Sequence, residues 1–325
     1  MKKIVDNPRL IYKCCYLYYK DGLSQMQICE QLGISRATVS RLLKSGKDRK
    51  IVRIELENPD SVAYGELERK LESRFGLKEI LIIDDLDIGN HYEHMQKVNA
   101  EALAYFSRAF KDQEYIGVSM GETLHDLVET NVEVDEINCT FVPVVGGVGM
   151  RSLSNQNFHS NDIAMALAKK FHGSASQFFA PAIFDNIEVM QGLLKERPIK
   201  DVISSFDKLS ALIMGIGATE AKSSTVVKAG YLSAEEYEEF KNKGAVGDAL
   251  LRFYDENGNI EPFKAFNDRV MAISMENIMR VESRIGIAVG EEKSRAVLGA
   301  LRGKLINVLI TDISCVNKML TLMDK

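Results

Sequence analysis

The sequence of 325 residues lacks the signatures of several protein classes. Its five cysteines are an odd number without a Cys-x-x-Cys pair, and none lies near paired histidines at a metal-ligand spacing. A zinc module and a disulfide scaffold are therefore not expected. The sequence has no signal-peptide pattern and no apolar stretch of about 18 residues. These absences predict a soluble, cytoplasmic chain with reduced, mostly core cysteines, no metal and no membrane partner.

Catalytic and nucleotide-binding patterns are missing as well. The sequence contains no Ser/His/Asp set and no pair of carboxylates at a spacing that requires acid–base chemistry. Its glycine-rich turns match neither the Gly-x-Gly-x-x-Gly pattern nor the phosphate-loop Gly-Lys-Ser/Thr pattern. A small phosphate is therefore a better expected ligand than a nucleotide. We predict neither an enzyme nor a cofactor.

What the sequence does have is an uneven distribution of charge. Residues 1–56 hold twelve Lys/Arg against five Asp/Glu, whereas the remaining 269 residues hold 29 against 41. The first part thus carries +7 and the second −12. A basic segment attached to an acidic body predicts a polyanionic partner for the N-terminal part alone.

Residues 23–44 have the pattern of a helix-turn-helix, the unit that places its second helix in the major groove of DNA. Gly33 fits a turn with positive φ, and Ser35 fits the N-cap of the second helix. That helix would present a short polar and basic set to phosphates and base edges, comprising Ser35, Arg36, Ala37, Thr38, Ser40, Arg41 and Lys44. An ordinary helical hairpin with a solvated outer face is the alternative.

The chain is predicted to form two domains, a small all-α helix-turn-helix head (1–57) and a larger body (58–325). A support helix begins at Pro8, residues 51–56 alternate like a short strand or wing, and residues 61–76 look like an amphipathic helix. From residue 78 onward, short apolar strands alternate with helices. This alternation is typical of an α/β fold with a mostly parallel sheet and helices on both faces. The predicted strands are 79–84, 115–119, 139–145, 176–180, 209–215, 285–289 and 306–311.

Ligands of such sheets bind at the carboxyl ends of the strands. Several predicted strands end there in glycine-rich or polar turns, and the free N–H groups of a following helix can hold an anion. Lys293 would add a cation, although a merely solvated lysine is the more common situation. The residues predicted to surround one small anionic molecule in these turns are Ser119, Gly121, Glu122, Thr123, Gly146, Gly147 and Lys293.

Two more polar positions are candidates for the same ligand. Asp248 lies in a stretch without strand character, where it either accepts hydrogen bonds from a polyol or caps a helix. His159 follows the second glycine-rich turn and comes before a helix, where it can reach the ligand. The other histidines near predicted helices, His91, His94 and His125, are expected at the surface.

A series of motifs in one order resembles the SorC family of bacterial sugar-binding transcriptional regulators, and the resemblance covers essentially the whole chain. The motifs are Gly22-Leu-Ser-Gln and the segments 32–43, 116–124, 142–147, 180–182, 215–217, 244–248 and 307–312. The resemblance implies a sugar or phosphosugar effector, a Rossmann-like domain similar to sugar-phosphate isomerases, and usually a tetramer built as a pair of dimers. The residues it implies are Gly121, Thr123 and Lys293 for the phosphate, Asp248 for sugar hydroxyls, and His159 or Asn161 for further polar contacts.

Two positions depart from the family pattern. Met120 replaces a frequent aromatic residue, and Val145 stands where some members have a basic residue, so the effector is expected to contact fewer cations. The sequence therefore predicts a homo-oligomeric regulator whose affinity for double-stranded operator DNA is controlled by a small phosphorylated sugar. The alternatives are a sugar-phosphate isomerase or deaminase with an appended DNA-binding head, and an oligomerisation platform without a ligand.

Overall fold

The structure, a computed structural model, describes residues 6–54, 63–85, 90–147, 158–219, 224–228 and 230–324. The chain divides into two units, Met1–Val62 and Ala63–Lys325. The predicted domain boundary at residues 57 and 58 lies outside the described residues, so its exact position remains a prediction.

Three helices make up the described part of the N-terminal unit: α1 (Pro8–Tyr19), α2 (Gln25–Leu32) and α3 (Arg36–Asp48). Pro8 occupies the first turn of α1, where its missing N–H has no intrahelical partner to lose. Ser24 and Gln27 cap the start of α2 reciprocally. The helices enclose a small core of fully buried side chains, which includes Ile11, Cys14, Ile28, Val39 and Leu42.

The predicted strand at 51–56 is wrong over its described part, since residues 51–54 form no strand. The backbone N–H groups of Ile51 and Val52 both donate to the carbonyl of Gly46 and close the end of α3 instead. Residues 55 and 56 lie outside the described residues. Four of the five free cysteines are buried and Cys29 is partly exposed, which confirms the prediction of mostly core cysteines.

Ten strands are described in the second unit: β1 (Glu79–Ile83), β2 (Tyr115–Val118), β3 (Thr140–Pro143), β4 (Ser174–Ala175), β5 (Leu209–Gly215), β6 (Gly217–Ala218), β7 (Gly247–Ala249), β8 (Arg252–Tyr254), β9 (Ser283–Ile287) and β10 (Val308–Asp312). Seven of them form one parallel sheet in the order β1-β10-β9-β5-β2-β3-β4. The other three, β6, β7 and β8, form a small antiparallel sheet.

Twelve helices accompany these strands: α4 (Gly65–Phe75), α5 (His91–Ala109), α6 (Glu122–Glu129), α7 (Ser160–Phe171), α8 (Ile187–Leu193), α9 (Arg197–Ser205), α10 (Thr225–Lys228), α11 (Ala234–Asn242), α12 (Lys264–Asn267), α13 (Met275–Arg280), α14 (Ser294–Arg302) and α15 (Ile313–Met323). None of the helices in the described ranges is long and apolar enough to span a membrane.

Both faces of the parallel sheet are buried, as its near-continuous apolar strands predict. Along β5, Leu212 and Met214 belong to one apolar cluster, whereas Ala211 and Ile213 belong to the other. Because successive side chains of a strand point to opposite faces, the two clusters lie on opposite sides of the sheet. The predicted α/β architecture is confirmed.

Strand order reverses between β2 and β5, which are hydrogen-bonded neighbours. From β2 the chain continues to β3 and β4 on one side, while from β5 it continues to β9 and β10 on the other. The turns that follow β2 and β5 therefore diverge and leave a crevice at the carboxyl edge of the sheet, the usual ligand position in such folds.

Two strand predictions in the second unit are wrong. Residues 176–180 form no strand, and the short β4 lies just before them. The reason is a side chain: the Asn161 amide accepts from the N–H of Phe178 at 2.7 Å and donates to its carbonyl at 3.2 Å, which occupies the backbone groups that a strand would use. Conversely, the stretch 243–248 was expected to lack strands, yet β7 begins at Gly247.

Candidate ligand-binding cleft and helix-turn-helix surface

The turn between α2 and α3 is built as the sequence predicts. Gly33 has φ 63°, in the left-handed region that favours glycine, and ends α2. The Ser35 hydroxyl accepts a hydrogen bond from the backbone N–H of Thr38 at 3.2 Å and caps α3. Six of the seven residues predicted to contact DNA are exposed on this segment, namely Ser35, Arg36, Ala37, Ser40, Arg41 and Lys44, and Thr38 is partly buried.

In the second unit, a cleft opens at the carboxyl edge of the sheet where the strand order reverses. Its empty volume, including the open mouth, is about 610 Å³. The residues that line it are Ser119, Met120, Gly121, Glu122, Thr123, Gly215, Ile216, Gly217, Ala218, Ser224, Val226, Asp248, Leu250, Leu251 and Lys293. They come from the turns after β2, β5 and β9, from the starts of α6 and α10, and from the small antiparallel sheet with its turn.

One side of the cleft suits an anion. Gly121, at φ 134°, is the N-cap of α6, and no described side chain caps the first turn of that helix. Its first N–H groups therefore lack an intrahelical acceptor and a side-chain acceptor, and the helix dipole adds partial positive charge there. Lys293 lies directly before α14 and lines the same cleft, partly buried. A phosphate between them would meet N–H donors and one ammonium group.

The same cleft also contains a carboxylate. Asp248 on β7 pairs in register with Gly217 on β6. A Cβ atom at position 217 would lie 2.1 Å from Asp248 Oδ1, so only glycine leaves room for this carboxylate. Desolvation raises the pKa of Asp248 to about 6, and the positive charge of Lys293 offsets part of that rise. When ionised, this carboxylate accepts hydrogen bonds from hydroxyl groups.

A second carboxylate at the cleft is already paired. Both oxygens of Glu122 lie 2.8 Å from Nζ of Lys228 on α10. Both side chains are partly exposed, so this ion pair contributes little to stability. Among the described lining residues, Lys293 is the one cation that faces the cleft.

Most of the chain matches known proteins. The model of the sugar-binding domain family matches residues 62–321, and that of the MarR family matches residues 16–61. The Sorbitol operon regulator of Klebsiella pneumoniae is 31% identical over 310 residues, covering 94% of this chain and 96% of that protein. The chain belongs to the SorC family of transcriptional regulators.

Two further comparisons agree with this membership. The Deoxyribonucleoside regulator of Bacillus subtilis (strain 168) is 32% identical over 311 residues, covering 94% of this chain and 96% of the relative. The crystal structure of the full-length Sorbitol Operon Regulator SorC from Klebsiella pneumoniae aligns with a TM-score of 0.70 and 30% identity, covering 97% of this chain and 98% of that one. These relatives are named as regulators and not as enzymes.

The cleft brings together six of the ten residues predicted to bind the effector: Ser119, Gly121, Glu122, Thr123, Asp248 and Lys293. Asp248 lies on a strand, so the alternative that it caps a helix is wrong. The other four predicted residues are not among those that line the cleft, namely Gly146, Gly147, His159 and Asn161.

Packing accounts for the position of these four residues. A Cβ atom at Gly146 would lie 2.5 Å from the carbonyl oxygen of Pro181, and one at Gly147 would contact the ring of His159. The His159 ring stacks on Phe158 with centroids 5.4 Å apart. Asn161 is engaged by the backbone of Phe178, as described above. In this SorC-family chain the turn after β3 therefore packs against neighbouring segments.

Sequence reasoning missed three notable cleft residues. Ser224 is buried, and its hydroxyl has no hydrogen-bond partner among the described residues. Leu250 and Leu251 form the two-residue turn between β7 and β8 at φ 54° and 63°. Two-residue turns of this kind usually contain Asn and Gly, so a turn made of two leucines cannot be recognised from the sequence. Both leucines are buried and give the cleft an apolar wall.

The prediction that His94 lies at the surface is wrong. His94 on α5 is 8% exposed, and its Nε2 lies 3.1 Å from Oδ2 of Asp312 at the end of β10. A hydrogen-bond partner 218 positions away decides its burial, which local sequence cannot reveal.

Asp85, His94 and Asp312 also bring ligand atoms within 4.8 Å of one another, a geometry that can hold a metal ion. Sequence spacing gave no sign of this group.

Replacing Asp248 with asparagine is expected to stabilise the apo protein above pH 6. Because the folded state raises the pKa of this carboxyl to about 6, an ionised Asp248 opposes folding there, and the penalty fades as pH falls towards its unfolded pKa. The side chain is partly exposed, so we expect a gain of about 1 to 2 kcal/mol at pH 8. Urea unfolding at pH 8, 6 and 4 measures it.

The matched control is Asp201→Asn, a substitution of an exposed aspartate on α9. It should leave the free energy of unfolding nearly unchanged at all three pH values. An advantage of Asp248→Asn over the original protein that is the same at pH 8 and pH 4 would contradict the assigned burial effect.

Proposed function

We propose that this SorC-family regulator binds double-stranded operator DNA through its helix-turn-helix and that a small sugar monophosphate in the cleft controls its operator affinity. The observation that carries the effector proposal is the arrangement of the cleft. The uncapped start of α6 and Lys293 offer a binding site for a phosphate, and Asp248 offers an acceptor for hydroxyls in the same space.

The charges favour one phosphate over two. Lys293 is the one described lining cation, and it shares the cleft with Asp248 and with Glu122, which Lys228 already neutralises in part. A second dianionic phosphate would have to approach these carboxylates without a second cation. Since like charges at short distance are strongly unfavourable in a partly desolvated site, a bisphosphate is disfavoured.

The named relatives support a sugar-derived effector. One is a sorbitol operon regulator and another a deoxyribonucleoside regulator, so polyol and pentose phosphates are the first compounds to test. We also propose that the chain acts as a homo-oligomer, because helix-turn-helix proteins commonly read two half-sites as dimers. The effector must bind more tightly to one arrangement of the heads than to another, since equal affinity for both would shift no equilibrium.

The test is a thermal-shift screen with the full chain. Ribose 5-phosphate, 2-deoxyribose 5-phosphate, glucose 6-phosphate and sorbitol 6-phosphate are compared with the same sugars without phosphate and with fructose 1,6-bisphosphate. At least one monophosphate should raise the melting temperature by about 5 °C, while its unphosphorylated form and the bisphosphate should not.

DNA binding is tested with the upstream DNA of the gene that encodes the chain, by fluorescence anisotropy at several salt concentrations. The monophosphate that stabilises the protein should also change the DNA affinity. A protein that is stabilised by no monophosphate contradicts the effector proposal, and an affinity independent of salt contradicts the DNA proposal.

A further inference from the structure

One buried carboxylate outside the cleft ties three elements together. Asp312 ends β10 and is only 2% exposed. Its oxygens accept hydrogen bonds from the backbone N–H of Cys315, in the first turn of α15, and from the backbone N–H of Gly290, each at 3.1 Å. The ring of His94 from α5 contributes the third partner at 3.1 Å.

Gly290 begins the turn that presents Lys293 to the cleft. It has φ 101°, a conformation in which other residues are strained. Residues 291–293 then form a single 3-10 turn, closed by a hydrogen bond from the N–H of Lys293 to the carbonyl of Gly290 at 3.1 Å. The backbone group held by Asp312 is therefore one short turn away from the cation of the cleft.

We propose that Asp312, oriented by His94, is a positioning residue that fixes the Gly290–Lys293 turn so that the Lys293 ammonium faces the bound phosphate. This inference rests on the proposed function. Neither Asp312 nor His94 is among the residues that line the cleft, so both act through the turn. A lysine side chain loses considerable rotamer freedom when it binds a ligand. Because the backbone of the turn is already fixed before binding, no loss of backbone freedom is added to that entropy loss.

A simpler role for Asp312 is capping of α15 alone. Asp312→Ser separates the two roles, because serine is as good an N-cap as aspartate but its hydroxyl is too short to reach Gly290 and His94. Lys293→Met removes the cation itself. Binding of inorganic phosphate is measured by calorimetry for the original protein, for each single variant and for the double variant, all with EDTA present, and for the original protein also without EDTA.

We expect Asp312→Ser to weaken phosphate binding about tenfold. In the Lys293→Met background the same substitution should have no further effect, because the group that Asp312 positions is gone. The amide of Gly290 should also exchange hydrogen at least about tenfold faster in Asp312→Ser, since it loses its acceptor. Ser274→Ala, which removes the cap of α13, is the matched control. It should lower the melting temperature without changing phosphate affinity or Gly290 exchange.

Equal losses of phosphate affinity in both backgrounds would overturn the proposal, and so would unchanged Gly290 exchange. A loss of affinity caused by EDTA in the original protein would assign the effect to a metal at Asp85, His94 and Asp312 and would also overturn it. If the original protein bound neither phosphate nor any monophosphate, the proposed function itself would fail, a result distinct from binding that Asp312→Ser leaves intact.

Should Asp312→Ser not fold, His94→Phe provides the second test. It keeps the ring volume and the Asp312 carboxylate but removes the ring nitrogen that donates to Oδ2. We expect a phosphate affinity about threefold lower, again only when Lys293 is present. The same loss in the Lys293→Met background would overturn the proposal.

Discussion

Lys293→Met is expected to lower the affinity of the cleft for its sugar monophosphate about 100-fold, which corresponds to about 2.7 kcal/mol. A hydrogen bond to a charged partner has this magnitude when the site is partly desolvated. Methionine preserves most of the apolar stem of lysine, so the variant isolates the charge. Titration calorimetry with the monophosphate identified by thermal shift measures the loss.

The same substitution should alter Asp248, which lines the same cleft. The charge of Lys293 holds down the raised pKa of Asp248, so its removal raises that pKa further and leaves more of the carboxyl protonated at neutral pH. Lys241→Met, on the exposed surface of α11, is the matched control and should bind like the original protein. Unchanged monophosphate affinity in Lys293→Met would show that Lys293 does not hold the phosphate.

Half of this cleft could be predicted from the sequence, because its residues lie in turns that follow recognisable apolar strands. The turn 119–123 and Lys293 follow apolar strands, and in a parallel sheet such turns must share one edge. Whether the ligand-binding residues lie close together, however, depends on which strands are neighbours in the sheet. β3 adjoins β2, but the turn after it packs against Pro181 and His159 rather than opening to the cleft.

The other half of the cleft comes from short elements whose formation depends on tertiary contacts. β7 and β8 have three residues each, too few for a periodic signal. Their turn places Leu250 and Leu251 at positive φ, which costs roughly 1 to 2 kcal/mol per residue for non-glycine side chains. Both side chains are buried in the main apolar cluster, and this burial stabilises a turn that local propensity opposes.

Simultaneous replacement of Arg36 and Arg41 with alanine is expected to lower operator affinity about 100-fold at 0.15 M salt. Both side chains are exposed in the N-terminal half of α3. The Arg41 Nε donates to the carbonyl of Ala37 at 3.2 Å, which directs the guanidinium along the helix surface. Fluorescence anisotropy with operator DNA, in the absence of effector, measures the loss.

The salt dependence of DNA affinity then distinguishes two possible reasons for this loss. If both arginines neutralise DNA phosphates, the slope of log affinity against log salt should become shallower by about 1.8, or about 0.9 for each phosphate contact removed. If they read base edges instead, discrimination between operator and unrelated DNA should collapse while the slope changes less. Arg49→Ala is the control, because Arg49 pairs with Asp6 in an exposed ion pair beyond the end of α3. An equal loss in Arg49→Ala would mean that affinity depends on the net charge of the head and would argue against α3 as the recognition helix.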